Sequence, residues 1–155
     1  MSSPTETASA REPDGGPAHA LLLSNDMSEL RRASAWLHAY AKSNALASEI
    51  SFGLDVCMNE AIANIISHGY GDSAKAHVIE LRIWRTGDCV RLQIEDDGRP
   101  FNPVQAKTPP PPQTLEAARL GGMGITLLRD TVDGIQYSRR NGRNVLILTA
   151  CPETP

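Results

Sequence analysis

The first half of the chain carries apolar residues at helical spacing in two stretches. The pattern predicts one helix over about residues 26–46, which Asp26 or Ser28 can cap, and a second helix over about 51–67. The short apolar run at 20–23 fits either a strand or a hydrophobic contact ahead of the first helix. The apolar stripe of the second helix consists of Leu54, Met58, Ala61 and Ile65.

After residue 78 the spacing changes from helical to alternating. Alternation over 79–84 and again over 90–96 predicts two half-buried strands joined by a turn. A long irregular stretch over 99–120 follows, and then a helix is predicted over 125–132. Residues 135–149 predict two more strands, joined across an Asn-Gly pair that favours a tight hairpin turn.

This order of elements predicts an α+β fold, namely a two-layer α/β sandwich in which helices cover one face of a mixed sheet. We expect a single domain over residues 19–151. A disordered segment at 1–18, rich in Ser, Thr, Pro, Gly and acids, would precede it, and a short tail at 152–155 would follow.

Composition narrows the classes of partner. The chain has 155 residues, of which 41% are hydrophobic, enough for one ordinary core. A net charge of −3 gives no electrostatic reason to expect nucleic acid or an anionic membrane as a partner. No apolar run approaches the roughly 18 residues that a spanning helix needs, and no signal segment is visible, so we expect a cytoplasmic protein. Its three cysteines, Cys57, Cys89 and Cys151, lack metal-type spacing and are expected to be reduced thiols, two of them buried.

Glu60, Asn64 and His68 recur at every fourth position of the second predicted helix, beside its apolar stripe. Successive members are about 40° apart around the helix axis, so the row should line the wall of a cleft. A carboxylate can accept a proton from an attacking hydroxyl, and a neutral amide oxygen suits a hard Mg²⁺ that also binds phosphates. An ordinary solvated helix face is the alternative.

Asp96 continues the inward side of its predicted strand, so a carboxylate points toward the core where the strand ends. A buried charge needs a partner, and the exocyclic amine of a purine can donate a hydrogen bond to it. Gly98 allows the chain to turn sharply beside such a ring. The alternative is that Asp96 only caps the turn.

A glycine segment, Gly121-Gly122-Met123-Gly124, opens the helix predicted over 125–132. Glycines at a helix start present backbone N–H groups and the positive end of the helix dipole to phosphate. The segment matches neither the dinucleotide-binding fingerprint nor a Walker A loop. Taken alone, such a hinge is more often structural.

The succession of these motifs resembles the GHKL (Bergerat) ATP-binding superfamily. Within it, the string Asn-Glu-Ala-Ile-Ala-Asn-Ile-Ile-Ser-His-Gly-Tyr at 59–70 is similar to the anti-sigma factor serine/threonine kinases, as is Gly-Met-Gly-Ile-Thr at 122–126. The resemblance covers about residues 21–150 and implies the Bergerat ATP-binding fold.

The resemblance implies a site for ATP and Mg²⁺. Glu60 would be the general base, Asn64 the magnesium ligand and Asp96 the residue that recognises adenine. Residues 99–120 would form the ATP lid. The other nucleotide-binding positions it implies are Gly98, Phe101, Gly122, Met123, Gly124, Thr126 and His68. For His68, a structural hydrogen bond at the helix end is the alternative.

Two departures from the family pattern concern the lid. Pro100 replaces the frequent second glycine of the D-x-G-x-G motif. Four consecutive prolines at 109–112 would stiffen the lid toward an extended geometry, so its closure on ATP is expected to differ from that of the family.

The resemblance further implies a serine or threonine acceptor on a STAS-domain anti-sigma antagonist, a sigma factor as sequestered client, and homodimers. We therefore expect an ATP-dependent protein serine/threonine kinase and anti-sigma factor in a partner-switching system that regulates transcription. The alternative is an ATP-binding sequestration module with little or no kinase activity. A sensor histidine kinase would need a phospho-accepting helical hairpin ahead of the ATP domain, and gyrase- or chaperone-type ATPases would need further domains.

Overall fold

The computed structural model of the protein describes residues 19–70, 76–103 and 131–153. Its elements are β1 (His19–Ser24), α1 (Glu29–Ser43), α2 (Ser48–Asn64) with a π-helical turn (Ile65–Gly69), β2 (Val78–Thr86), β3 (Cys89–Asp96), β4 (Gly134–Arg140) and β5 (Arg143–Ala150). The described strands form one sheet in the order β1-β2-β3-β5-β4. The α+β prediction is confirmed.

Both predicted helices form, with ends that differ from the expected ones. α1 stops at Ser43, short of residue 46, because Ala45 takes a left-handed backbone with a φ of 50° and the N–H groups of Leu46 and Ala45 donate back to the carbonyls of Ala41 and Lys42, which closes the helix as a Schellman motif. α2 begins at Ser48 rather than 51. Within the three described ranges, neither helix is long and apolar enough to cross a membrane.

The apolar run at 20–23, for which the sequence left two interpretations open, is part of the edge strand β1. It pairs antiparallel with β2, and this places Leu21 opposite Leu81 and Leu23 opposite Ile79. Leu23 is buried, whereas Leu22 is 57% exposed. This alternation is typical of a strand with one covered face.

One face of the sheet packs against the two helices and forms the core. Each fully buried Leu, Ile or Met side chain in it contributes about 1.5–3 kcal/mol relative to an exposed one. α2 supplies Leu54, Cys57, Met58, Ala61 and Ile62, while β2, β3 and β5 supply Ile79, Leu81, Ile83, Val90, Leu92, Ile94, Leu146, Leu148 and Ala150. The alternation predicted for β2 and β3 is therefore confirmed.

The sheet differs from the expected mixed sheet, since all pairings among the described strands are antiparallel. Two of them follow from tight turns, because strands joined by a two-residue loop must run antiparallel. Asn141 and Gly142 both have positive φ, at 53° and 75°, which is the backbone required by the predicted Asn-Gly hairpin. The helix predicted over 125–132 lies largely outside the described residues.

Cys89 and Cys151 form a disulfide, so the expectation that all three cysteines are reduced thiols is wrong. β3 and β5 pair with Val90 opposite Ala150, and the residues just outside this pair therefore face each other. Cys57 remains a free, buried thiol, and burial raises its pKa to about 11. Spacing along the chain does not reveal the pairing, because only the strand order brings the two cysteines together.

Opening the disulfide is expected to lower the stability of the protein. The bond joins residues 62 positions apart, and the chain-entropy relation for a loop of that length gives about 4 kcal/mol in the free energy of unfolding. A variant carrying both Cys89→Ser and Cys151→Ser should therefore melt below the oxidised parent.

Dithiothreitol supplies the matched control for this prediction. It should lower the melting temperature of the parent to that of the double variant and leave the double variant unchanged. Equal melting temperatures for the oxidised parent and the double variant would show that the bond contributes nothing. Thiol counting on protein quenched directly from cells would establish whether the bond is closed there.

Candidate functional site

The carboxylate of Asp96 ends β3 on the core face of the sheet. The residue is only 3% exposed. Its Oδ1 accepts hydrogen bonds from the backbone nitrogen of Gly98 at 2.8 Å and from Nδ2 of Asn144 at 3.1 Å. No described residue donates to Oδ2. One oxygen therefore caps the turn, as one of the two interpretations of the sequence proposed, and the other stays available for a further donor.

Burial raises the pKa of Asp96, while the hydrogen bonds from Asn144 and Gly98 oppose the shift. The neighbouring charges act in opposite directions, since Asp97 raises this pKa and Arg139 lowers it. A carboxyl whose pKa is higher in the folded than in the unfolded state destabilises the fold above that folded pKa, and the penalty disappears as pH falls through both values. A charge kept at such a position is typical of a functional site.

Gly98 lets the end of β3 approach the end of the second helix. A Cβ atom at this position would lie 2.7 Å from the carbonyl oxygen of Gly69 and 2.8 Å from Oδ1 of Asp96. A larger residue therefore cannot enter without moving the backbone. The next residue, Arg99, donates its backbone N–H to the same Gly69 carbonyl at 2.7 Å. This contact fixes the carboxylate of Asp96 relative to the C-terminal end of the helix.

Glu60 and Asn64 lie one turn apart at that end of α2, and both are partly exposed. No described residue forms a hydrogen bond or ion pair with either side chain. His68 lies beyond the regular α-helix, because the helix widens into a π turn from Ile65 onward. The i→i+5 hydrogen bonds of a π turn change the angular spacing that a regular α-helix would have. His68 is exposed on this turn.

Sequence reasoning missed Asn144, which is buried at the start of β5 directly opposite Asp96. Its Nδ2 also donates to the carbonyl of Arg99 at 2.7 Å. Three donors converge on its Oδ1: the Tyr137 hydroxyl at 2.5 Å, Arg139 Nη1 at 3.0 Å and the Phe101 backbone nitrogen at 3.3 Å. We name Asn144 with these partners the Asn144 cluster.

The alternation of inward and outward side chains along β5 could have identified Asn144. Asn144 shares the core face with Leu146 and Leu148, so it is an inward polar side chain at a strand end, as Asp96 is. The predicted strand began at 145, two residues after β5 begins, and so left Asn144 out. Through the Asn144 cluster, the end of the sheet holds the first residues of the predicted lid, 99–101.

The second acid of the motif, Asp97, takes part in a separate contact. Its Oδ1 lies 3.0 Å from Nδ1 of His77, whose ring stacks on that of Tyr70 with centroids 3.9 Å apart. Burial, and then the charges of Asp96 and Asp97, raise the pKa of the Tyr70 hydroxyl, so the phenol stays protonated. Of the two adjacent acids, only Asp96 therefore faces the core.

The other predicted nucleotide-binding positions fall partly inside and partly outside the described residues. Phe101 is described; its ring is 47% exposed and its backbone is held by Asn144. Gly122, Met123, Gly124 and Thr126 lie outside the described residues, as does the predicted lid after Pro103. The structure thus joins the turn after β3 to the π turn that follows α2, the helix that carries Glu60 and Asn64, through the contact of Gly69 with Arg99.

Comparison with known proteins shows the family of this chain. A family model described as a histidine kinase-like ATPase domain matches residues 23–150. The chain belongs to the histidine kinase-like ATPase family. It is 36% identical over 115 residues to the serine/threonine-protein kinase BtrW of Bordetella bronchiseptica, and the match covers 74% of this chain and 80% of BtrW.

A second relative within the histidine kinase-like ATPase family is the serine-protein kinase RsbW of Oceanobacillus iheyensis. It is 27% identical over 99 residues, which span 61% of each chain. A solved histidine kinase domain from Erythrobacter litoralis superposes with a TM-score of 0.48 at 15% identity, covering 81% of this chain and 60% of that one. By sequence, the chain groups with the family members named serine- or serine/threonine-protein kinases.

The residues present fit the ligand that an ATPase domain requires. A buried carboxylate with one oxygen available can accept a hydrogen bond from the exocyclic amine of adenine, as Asp96 offers. In the described part of the chain, no three His, Cys, Asp or Glu side chains cluster to hold a metal by themselves. Mg²⁺ in nucleotide sites commonly uses one or two protein oxygens together with phosphates and waters, and the amide of Asn64 fits that role.

Replacing Asp96 by Asn should weaken ATP binding without lowering the stability of the protein. The amide oxygen can still accept from Gly98 and Asn144, but an NH₂ group then faces the amine of adenine. We expect the ATP dissociation constant to rise at least about tenfold, which is about 1.4 kcal/mol. The melting temperature at neutral pH should stay equal or rise, because the buried charge is removed. Calorimetric titration and thermal melts would test this, and unchanged ATP affinity would exclude Asp96 as the adenine residue.

Removing the side chain of Asn144 should lower both the stability of the protein and its affinity for ATP. Asn144→Ala leaves Asp96 with one donor fewer and deprives Tyr137 and Arg139 of their acceptor. We expect the free energy of unfolding to fall by about 1–3 kcal/mol, since each buried polar group left unpaired is costly. ATP affinity should fall as well. A variant with parental melting temperature and ATP affinity would show that the Asn144 cluster holds nothing in place.

Proposed function

We propose that this protein is a cytoplasmic, Mg-ATP-dependent protein serine/threonine kinase and anti-sigma factor. Its substrate would be a STAS-type antagonist, and its client would be a sigma factor released or held by partner switching. The observation that carries the proposal is the junction of Gly69 with Arg99, which joins the buried carboxylate of Asp96 to the helix of Glu60 and Asn64. The names of the relatives BtrW and RsbW support the same activity.

Each residue has a defined task in this proposal. Asp96 binds the amine of adenine and so selects the base. Asn64 contributes an amide oxygen to Mg²⁺, which supplies neutralisation of phosphate charge when bound. Glu60, partly exposed and unbonded by described residues, accepts the proton of the attacking hydroxyl. The glycine segment at 121–124 would supply backbone N–H groups to the phosphates.

The test is transfer of labelled phosphate from ATP to purified STAS-domain proteins of the same genome. Transfer to a serine or threonine of one of them supports the kinase proposal. ATP binding without transfer to any of them would instead favour the sequestration module. Acid and alkali stability of the label separates phosphoserine or phosphothreonine from phosphohistidine.

Two substitutions on α2 should give different results. Glu60→Gln removes the proton acceptor but keeps the shape, so ATP should bind with near-parental affinity. Its transfer rate should fall by about 10²–10⁴, the usual contribution of a positioned base.

Asn64→Ala removes the magnesium ligand, so both Mg-dependent ATP affinity and transfer should fall. Binding measured with and without Mg²⁺ distinguishes the two variants. If Glu60→Gln transferred phosphate at the parental rate, Glu60 would not be the base.

A further inference from the structure

The disulfide lies on the face of the sheet opposite the two helices. Cys89 precedes Val90 and Cys151 follows Ala150, and both of these neighbours belong to the core. Because side chains alternate between the two faces of a strand, the two cysteines point away from the core. Each of them is partly exposed. Small thiols in solution can therefore reach the bond.

The cytoplasm, in which the proposed function places this protein, is a reducing compartment. Disulfides that form in the cytosol of mesophiles are usually transient bonds with a catalytic or redox-sensing role. The accessible Cys89–Cys151 bond fits that class, because it can open and close with the thiol pool around it. Cys57 does not fit it, since its thiol is fully buried and burial raises its pKa to about 11.

Asp133 connects the disulfide to the segment that precedes β4. Its Oδ2 accepts the backbone N–H of Cys151 at 2.7 Å, and its own N–H donates to the carbonyl of Thr149 at 2.9 Å. These two bonds hold Asp133 against the end of β5. Cys151 itself lies beyond Ala150, the last residue of β5 that pairs with β3. Strand pairing therefore does not hold Cys151 in place once the disulfide opens.

Thr131 extends this connection to α2. Its methyl group lies so close to Gly53 that a Cβ atom there would be 3.1 Å away from it. Its hydroxyl forms a hydrogen bond with the thiol of Cys57, which lies about one helical turn before Glu60. Val132, between Thr131 and the anchored Asp133, packs against the core. Contacts among described residues thus run without a gap from the disulfide to the helix of the candidate site.

We propose that the Cys89–Cys151 bond is a reversible redox switch for the proposed kinase. The inference rests on the proposed function and adds a regulatory input to it. When the bond is closed, Asp133 is anchored at the end of β5 and Thr131 is held against α2. When the bond opens, this anchor loosens and α2 loses a support next to the proposed base. The oxidised protein therefore binds ATP more tightly than the reduced protein.

Opening the bond is a thiol–disulfide exchange with a low-molecular-weight thiol, for which glutathione is the probe. One glutathione thiolate attacks a sulfur of the pair, the S–S bond breaks, and the other cysteine leaves as a thiolate that takes up a proton. A second glutathione thiolate then attacks the mixed disulfide and releases the first cysteine. The protein gains two electrons and two protons, and two glutathione thiols become one glutathione disulfide. Closing the bond is the reverse reaction, with glutathione disulfide as the oxidant.

The experiment titrates ATP into the full chain in buffers of reduced or oxidised glutathione. Alkylation of the folded protein should label two cysteines in the reduced buffer and none in the oxidised one, because Cys57 is buried. We expect the ATP Kd of the reduced protein to be at least about fivefold higher than that of the oxidised protein. The stoichiometry of the titration reports the folded fraction, so it separates a weaker site from a loss of folded protein.

Thermodynamic linkage supplies a second measurement on the unmodified chain. If closing the bond tightens ATP binding by some factor, saturating ATP must favour the closed bond by the same factor. The equilibrium between dithiol and disulfide in glutathione mixtures should therefore shift at least about fivefold, which is about 20 mV for a two-electron couple. An equilibrium that ATP leaves unchanged, in protein that binds ATP, would refute the switch.

Substitutions at Asp133 test the route from the disulfide to α2. Asp133→Ala removes the acceptor of the Cys151 N–H, so the oxidised and reduced forms of this variant should bind ATP equally. Asp133→Asn keeps an oxygen acceptor at the same position and is the matched control, which should retain the difference. Full redox dependence of ATP binding in Asp133→Ala, or its loss in both variants, would overturn this route.

The outcomes separate this inference from the proposed function. ATP affinity that follows the redox state, without phosphate transfer to any STAS-domain protein, would refute the kinase and leave the switch standing. Transfer at equal rates and with equal ATP affinity in both redox states would support the kinase and refute the switch. If reduced glutathione at cytosolic concentration left the bond closed at equilibrium, the disulfide would be purely structural and the proposal would be wrong.

Discussion

The site depends on a close approach between two backbones, at the point where the sheet ends and the helical layer ends. The carbonyl of Gly69 accepts the amide of Arg99, and Gly98 has no side chain that could separate them. Without this approach, the end of α2 and the end of β3 would be independent surfaces. The two motifs that fall on them could then share no ligand.

Around that approach, polar groups are buried at some expense to stability. Burial raises the pKa of the Asp96 carboxyl, and Asn144 accepts hydrogen bonds from two separate parts of the chain, strand β4 and the segment after β3. Such a network is worth having only if most of its members are satisfied. None of the described residues donates to Oδ2 of Asp96, and we propose that the ligand's own hydrogen-bond donor binds there.

Most of the fold was predictable from periodicity, because the core faces of β2 and β3 and the Asn-Gly hairpin are encoded by neighbouring residues. Features that depend on the order of the strands in the sheet were not predictable from periodicity. The Cys89–Cys151 bond and the pairing of Asn144 with Asp96 both arise because β5 lies beside β3. No local sequence pattern indicates that these two strands are neighbours. The π turn at Ile65 was missed for a different reason, since apolar spacing does not distinguish it from an α-helix ending.

The disulfide makes the second half of the chain a covalent ring. It joins the first residue of β3 to the residue after β5, so the hairpin of β4 and β5 and the whole predicted lid lie inside one closed circuit. A single protease cut anywhere within that circuit leaves the two pieces attached, and the apparent mass of the oxidised protein does not change. Cleavage of the lid would therefore go unnoticed on a gel run without reductant, although it could alter nucleotide binding.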